Sequence, residues 1–341
     1  MFTKIISTGS YLPENTVTNH DLEQQVDTSD EWIRTRTGIE HRRIALNDQN
    51  TSDLAYEAAK RAIDKAGIAA ESIDLVVVGT CTPDVVTPNV GTILQERLGI
   101  RGSPAFSVEA ACSGFIYAMN IADKFIRSGD SSCALVVGAE TLSRITDWTD
   151  RNTCVLFADG AGAAILQPSD KPGVLFSQLG ADGTYGDLLY VPYGTSRKPD
   201  EPKPDDYCLH MKGNEVFKVA VKTLESITLE ALEQQNMTAN DIDWFIPHQA
   251  NTRIIHSVSK RLGIPIEKVI ITLPYHGNTS AASIPLALDE GIDSGKINQG
   301  DTILMQSFGA GFTWGTTVSY TRLRAHETSL HLVCRLLLEK K

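Results

Sequence analysis

A duplicated α/β fold is what the sequence predicts, and three observations carry that reading. The chain has 341 residues, a little over twice the ~150 residues of a typical domain, so two packed units or one duplicated unit are expected. Short unbroken apolar runs alternate with helix-length segments, the pattern of strands covered on both faces by helices. Landmarks of the first half recur, in order, in the second.

The runs are LVVVGT from Leu75, ALVVGA from Ala134, AAIL from Ala163, WFIP from Trp244, VIIT from Val269 and ILMQSF from Ile303, each read as a buried strand. Ile73-Asp74 before a strand recurs as Ile242-Asp243, 169 residues on, and Leu98-Gly99-Ile100 recurs as Leu262-Gly263-Ile264, 164 on. Gly129-Asp130 before a strand ending Gly138-Ala139 recurs as Gly300-Asp301 before one ending Gly309-Ala310, 171 on. Two like halves, 1–170 and 171–320, are expected about a pseudo-twofold axis, with the break in the turn-rich stretch Pro168 to Pro172. The segment from Gly194 carries Pro199, Pro202 and Pro204 among mixed charges and reads as a surface loop. Residues 321–341 form a net basic extension in which Leu330, Val333 and Leu337 fit one face of a short amphipathic helix. With few apolar anchors it is expected to be dispensable for catalysis; an interfacial helix against a membrane or partner is the alternative.

Composition excludes several classes. At 42% hydrophobic and 21% charged residues the chain is an ordinary globular one, neither collagen-like nor disordered. A net charge of −11 repels phosphates, so no nucleic-acid partner is expected. The N-terminal apolar run is too short for a signal peptide, and no stretch approaches the ~18 apolar residues of a membrane helix. A cytoplasmic protein that requires no membrane is the expectation. The six cysteines are scattered without metal-ligand spacing, so no metal is expected and any special thiol must be recognised from its surroundings.

Cys112 is that thiol. It lies where a strand-like stretch passes through small residues into a helix with an apolar face of Phe115, Met119, Ala122 and Ile126, and a helix N-terminus favours a thiolate and lowers its pKa. Adding an offset of ~166 residues lands on Asn278, again in a turn leading into a helix. His248 follows WFIP, at the end of a central strand, where α/β sheets place ligands. His276, two residues before Asn278, competes with it or shapes the turn. The Gly-rich strings GAGAAI from Gly160 and GAGFTWG from Gly309 lack the spacing and the acidic partner of a dinucleotide site.

On these residues the sequence resembles the β-ketoacyl-acyl-carrier-protein synthase III family, with its duplicated thiolase-like fold: two halves with central mixed sheets covered by helices in a layered sandwich. The motifs are TSDEWIRTRTGI from Thr28, AACSGF from Ala110, FADGAGAA from Phe157, GNEVFK from Gly213, PHQANTRII from Pro247, HGNTSAAS from His276 and SFGAGFTWG from Ser307, within residues 1–320. The resemblance implies a catalytic triad of Cys112, His248 and Asn278. Thiolases carry a second catalytic Cys near the end of the fold and elongating synthases a Cys-His-His set; here the third position is Asn278, and Cys334 lies in the extension. The resemblance further implies acyl transfer to Cys112 from acetyl-CoA or a related short acyl-CoA, then decarboxylative condensation with malonyl-acyl carrier protein. No cofactor is needed, coenzyme A entering as part of the substrate. The Cys112 and Ala310 backbone N–H groups are the implied oxyanion hole.

Thr28 and Glu31 fit a capping box, which puts Trp32 and Arg36 four apart on one helix face. The resemblance makes Trp32 the platform for the adenine of coenzyme A, with Arg151 on its other face, Arg36 near the phosphates, and Thr28 and Asn251 beside them. Lys212, Lys218, Lys222, Arg253, Lys260 and Arg261 gather positive charge in an acidic chain. The family docks the acidic carrier protein here, with Gln249, Ala250, Asn251, Thr252 and above all Arg253 implied as contacts. A homodimer is implied, in which the loop carrying Thr87 caps the partner's acyl pocket. Thr87 is small, so a roomier pocket is expected unless Leu142, Phe157, Leu189 or Phe308 refills it. A polyketide-type condensing enzyme using CoA esters for both substrates, and a Cys-His-Asn thioester hydrolase, are the alternatives.

Overall fold

The computed structural model describes residues 1–196 and 207–321; part of the proline-rich loop and the extension, with its expected helix and Cys334, lie outside the described residues. The first sheet contains β1 (Phe2–Tyr11), β2 (Leu75–Gly79), β3 (Ala105–Val108), β4 (Ala134–Thr141) and β5 (Asp159–Ser169), in the order β1-β5-β4-β2-β3. The second contains β6 (Val174–Ala181), β7 (Trp244–Pro247), β8 (Thr302–Gly309) and β9 (Thr313–Tyr320), in the order β6-β9-β8-β7. Both run antiparallel across the first two pairings and parallel from there on, so the two sheets share one topology.

Strand register refines the repeat. Leu75 pairs with Ala134 as Trp244 pairs with Ile303, a constant offset of 169. Gly138 therefore corresponds to Ser307, and the expected match of Gly138-Ala139 with Gly309-Ala310 is corrected by two residues. The Gly-Asp turns do recur, but the loops after them differ in length. VIIT from Val269 is not a strand either: only Val269 bridges Phe245, because the buried Gln249 side chain takes the carbonyl of Ile270 and the N–H groups of Thr272 and Leu273 that a ladder would use. The recurring Leu-Gly-Ile has a backbone cause. Gly99 and Gly263 adopt φ of 72° and 71° just past the helices α3 (Val90–Arg97) and α6 (Thr252–Leu262), the left-handed closure glycine accepts at little cost.

Alternate residues of each strand enter different layers, as the period of two requires. Val76 and Val78 pack outward under α2 (Thr51–Ala66) and α3, whereas Leu75 and Val77 face inward. The inward layer holds α4 (Gly114–Ser128) and α7 (Ser283–Asp293), whose Phe115, Met119, Ile284 and Leu288 fill the space between the sheets. On the far side α5 (Gly213–Gln234) and α6 cover the second sheet through Leu224, Ile255 and Leu262. The centre of this layering is where the two inner helices begin. No helix among the described residues is long and apolar enough to cross a membrane.

Candidate active site

Cys112 sits in the 3-10 turn Ala111–Ser113 that opens α4, and the second half repeats the device as the turn Ser280–Ala282 that opens α7. Each turn begins with a non-glycine residue in the left-handed region, Ala111 at φ 46° and Ser280 at φ 50°. Conformations this uncommon persist where the surroundings impose them. The strand ends do so here: a Cβ on Gly138 would lie 2.2 Å from Ala281 O, and one on Gly309 would lie 2.7 Å from Cys112 N. The counterpart of Cys112 is thus Ala281, at 169 residues, and not Asn278, which precedes that turn by two residues.

Asn278 reaches the centre by its backbone. Its N–H donates to Leu156 O and its C=O accepts from Ala158 N–H, both at 2.9 Å. The side-chain oxygen accepts from Ser280 N–H at 3.0 Å, which leaves the NH₂ of the amide as a donor. His248 follows β7 and is anchored by its N–H to Gln306 O at 2.7 Å. Its Nδ1 lies 2.7 Å from the Ser283 hydroxyl at the start of α7. Burial lowers its pKa to about 3, so the ring is neutral at ordinary pH. When Ser283 donates to Nδ1, the proton of the neutral ring sits on Nε2.

One cavity of about 390 Å³ is lined by Cys112, His248 and Asn278 together. His276 is not among its walls; it is nearly buried, 3.3 Å from Glu290. The expected lowering of the thiol pKa by the helix end meets an opposing effect. Burial pushes Cys112 up to about 12, opposed by a hydrogen bond with Ser280 and reinforced by the charge of Glu140. Burial of the sulfur disfavours its charged form, against the effect of the helix end.

At the open end of the cavity Trp32 is flanked by both expected arginines, Arg36 at 5.9 Å and Arg151 at 5.3 Å from its ring centroid. The predicted capping box does not form: Ser29, one residue on, caps α1 (Asp30–Thr37) by accepting from Trp32 N–H with no reciprocal bond, and the Thr28 hydroxyl is buried without a partner. Trp32 and Arg36 still share a face because their spacing is unchanged. Asn251 lines the cavity, caps α6 and donates to Arg36 O at 3.1 Å. Arg253 is exposed at the mouth, 5.5 Å from the Phe217 ring. Lys218, Lys222, Lys260 and Arg261 are exposed on α5 and α6, with Arg261 paired to Glu225. Thr252 is half-buried, bonded to Thr37 O. Gln249 is excluded from any docking surface, being fully buried with both ends of its amide taken by backbone.

Of the expected pocket residues, Phe157, Leu189 and Phe308 line the cavity. Leu142 does not; it is packed into the core. Thr87 is exposed on a surface loop, away from this chain's own cavity. The sequence reading missed Leu156, Val216, Ala220 and Leu224, which complete the apolar wall. The apolar stripe of α5 was the available signal. It also missed Ser283 and Glu140, although an acidic residue closing an otherwise apolar strand is a conspicuous one.

Known proteins share the sequence and the fold of this chain. The family profile described as 3-oxoacyl-[acyl-carrier-protein (ACP)] synthase III matches residues 106–183, and that of its C-terminal region matches residues 232–320. A beta-ketoacyl-[acyl-carrier-protein] synthase III of Xanthomonas campestris pv. campestris is 54% identical over 318 residues, 93% of this chain and 98% of the relative. The crystal structure of 3-oxoacyl-[acyl-carrier-protein] synthase III from Aquifex aeolicus superposes with a TM-score of 0.88 at 46% identity, covering 93% of this chain and 99% of that one. The priming β-ketosynthase of the R1128 polyketide pathway does so at 0.90 and 38%, covering 94% and 96%.

Proposed function

The chain belongs to the beta-ketoacyl-[acyl-carrier-protein] synthase III family, acyltransferases that carry out the initiating condensation of fatty acid synthesis, and from that premise we propose how its residues divide the work. Cys112 is the nucleophile. It attacks the carbonyl of acetyl-CoA or a related short acyl-CoA, the oxyanion is held by the N–H groups of Cys112 and Ala310, and coenzyme A departs from the acylated enzyme. Malonyl-acyl carrier protein then enters. The neutral His248, through Nε2–H, and Asn278, through its amide NH₂, donate to the malonyl thioester oxygen and stabilise the enolate formed as CO₂ leaves. The enolate carbon attacks the acyl-Cys112 carbonyl, and collapse of that adduct gives 3-oxoacyl-acyl carrier protein and the free thiol.

The observation that carries this is the meeting of Cys112, His248 and Asn278 in one cavity, from two turns and a strand end far apart in sequence. Trp32 with Arg36, Arg151 and Asn251 would hold the coenzyme A portion, and Arg253 with Lys218, Lys260 and Arg261 the acidic carrier. The proposal includes the halves 1–170 and 171–320, a dispensable 321–341, a homodimer in which Thr87 faces the partner's pocket, a cytoplasmic location, and no bound cofactor. Mass spectrometry after incubation with acetyl-CoA tests the core of it. An acyl adduct on the Cys112 peptide, lost in Cys112→Ser, is expected; its absence from the wild type refutes the assignment. Decarboxylation impaired in His248→Ala and Asn278→Ala with acylation retained is the second expected result. The likeness to a polyketide priming synthase favours one other reading, with CoA esters as both substrates. Malonyl-CoA turned over as well as malonyl-acyl carrier protein, indifferent to Arg253→Glu, would establish it.

A further inference from the structure

The buried Gln249 ties together the two backbone segments that carry the proposed donors to the malonyl thioester. It is fully buried and does not line the cavity, although its neighbours His248, Ala250 and Asn251 do. Its side-chain NH₂ donates to Pro247 O at 2.7 Å and to Ile270 O at 3.2 Å. Its side-chain oxygen accepts from Thr272 N–H at 3.0 Å and from Leu273 N–H at 3.2 Å. A primary amide has two protons to give and two lone pairs to fill, and here each is used. A polar side chain so completely engaged, one residue from the cavity and turned away from it, acts on the backbone.

The backbone groups it holds lead directly to both donors. Pro247 is the residue before His248. Leu273 opens the helical turn Leu273–His276, and its carbonyl accepts from Gly277 N–H at 3.0 Å; Gly277 is the residue before Asn278. A second path runs through the main chain of Gln249, whose N–H donates to the Ser283 hydroxyl at 3.3 Å, and that hydroxyl lies 2.7 Å from His248 Nδ1. A hydroxyl that accepts from Gln249 keeps its own proton for Nδ1, which leaves the proton of the neutral ring on Nε2. We propose that Gln249 is the positioning residue that fixes His248 and Asn278 relative to each other so that both donate to one oxygen, with Ser283 as its link to the imidazole. The inference rests on those two side chains being the donors in decarboxylation.

This brace serves one half-reaction and not the other. The Cys112 turn is backed by Gly309 at the end of β8, and the hydrogen bonds of Gln249 reach no residue of that turn. Acylation of Cys112 is therefore independent of Gln249, whereas decarboxylation needs two donors aimed at one oxygen. Shortening the side chain leaves buried N–H or C=O groups without partners, and the segments move to repair them. A displacement approaching 1 Å of a group that must meet a transition state costs about 100-fold in rate. The sequence placed Gln249 among the carrier-protein contacts, and the two roles differ in what they change. A docking residue acts on KM, a positioning residue on kcat.

The test is Gln249→Asn, which keeps the amide but is one methylene too short to reach both segments. Two half-reactions are measured separately: single-turnover acylation of Cys112 by acetyl-CoA, by rapid quench and mass spectrometry, and CO₂ release from malonyl-acyl carrier protein by the acetylated enzyme. The expected variant releases CO₂ with kcat lowered about 100-fold, KM for malonyl-acyl carrier protein within about threefold of the wild type, and acylation within about threefold. Should Gln249→Asn fail to fold, Ser283→Ala decides: it removes one hydroxyl, cuts the link to Nδ1, and should slow CO₂ release about tenfold while acylation is unchanged. A raised KM with kcat unchanged in Gln249→Asn makes Gln249 a docking residue and overturns the inference. Equal losses in both half-reactions, or Ser283→Ala releasing CO₂ at the wild-type rate, overturn it as well. His248→Ala and Asn278→Ala releasing CO₂ at the wild-type rate overturn the donor assignment instead, so the two failures are distinct.

Discussion

Gly309→Ala tests whether the nucleophile turn is held in place by the strand end behind it. The new Cβ would stand 2.7 Å from Cys112 N, 3.0 Å from Ala110 O and 3.1 Å from Ser113 N, all backbone atoms of one turn. Ordinary contact begins at 3.4 Å, so the turn must retreat by about 3.4 − 2.7 = 0.7 Å, since no flexible side chain is there to yield. Overpacking of this kind costs ~1–3 kcal/mol of stability, which a domain of this size survives. Catalysis is less forgiving, because a misplacement approaching 1 Å costs about 100-fold in rate. The expected variant is folded, with a modestly lower melting temperature and acylation of Cys112 slowed by about two orders of magnitude. Gly183→Ala, where nothing lies within 4 Å of the added Cβ, is the control and should acylate normally. Gly309→Ala acylating within about threefold of the wild type would show that the turn does not depend on this contact, and the account of its strained backbone would fail with it.

Trp32→Ala removes a ring flanked by two guanidinium groups; the KM for acetyl-CoA should rise about tenfold, ~1.4 kcal/mol, with kcat nearly unchanged, as steady-state kinetics will show. Arg253→Glu should raise the KM for malonyl-acyl carrier protein more than that for acetyl-CoA, and added salt should shrink the difference. Thr87→Phe should narrow the acyl preference in competition between acetyl-CoA and butyryl- to octanoyl-CoA, but only in a dimer, because Thr87 lies outside its own chain's cavity. Stability against pH carries opposite signatures from two buried groups. His248, lowered from 6.5 to about 3, binds a proton more readily when unfolded, so its contribution is complete above pH 6.5 and is lost as pH falls toward 3, by up to ~1.4 kcal/mol per unit. Glu140, raised from 4.5 to about 7, contributes below pH 4.5 and loses that contribution as pH rises to 7. The two slopes oppose each other between about pH 4.5 and 6.5, and denaturant titrations of His248→Ala should uncover a stability that declines with rising pH there.

Much of the molecule was legible in the sequence because its periodicities are strong. Strands such as Leu75–Gly79 are apolar on both faces, and the Leu-Gly-Ile repeat marks the same left-handed helix end twice. What the sequence hid was register. An offset estimated from loops is blurred by insertions, so Cys112 was matched to Asn278 when the sheets pair Cys112 with Ala281. Burial was hidden too: Gln249 resembles its neighbours in polarity, the half-buried Asn251 and the exposed Arg253, yet its amide substitutes for a strand ladder inside the core. The thiol's environment depends on desolvation by segments hundreds of residues away, which no local rule about helix ends captures.

The same register explains how a symmetric fold acquires an asymmetric site. At the constant offset of 169, Glu140 near the end of β4 corresponds to Gly309 at the end of β8. Each strand end backs the turn of the opposite half: Glu140 bonds Ser280, and Gly309 lies against Cys112 N. A carboxylate in place of Gly309 would occupy the very N–H that the proposed oxyanion hole requires, and would set a negative charge against the forming thiolate. Glycine leaves that amide open. In the other half the turn carries Ala281, with no nucleophile to expose, so the equivalent strand position is free to hold an acid, which accepts from the Ser280 hydroxyl. The duplication supplied two turns of like backbone; the strand position behind each, Gly309 behind one and Glu140 behind the other, decides whether the turn's N–H groups stay open or its first residue is tied down.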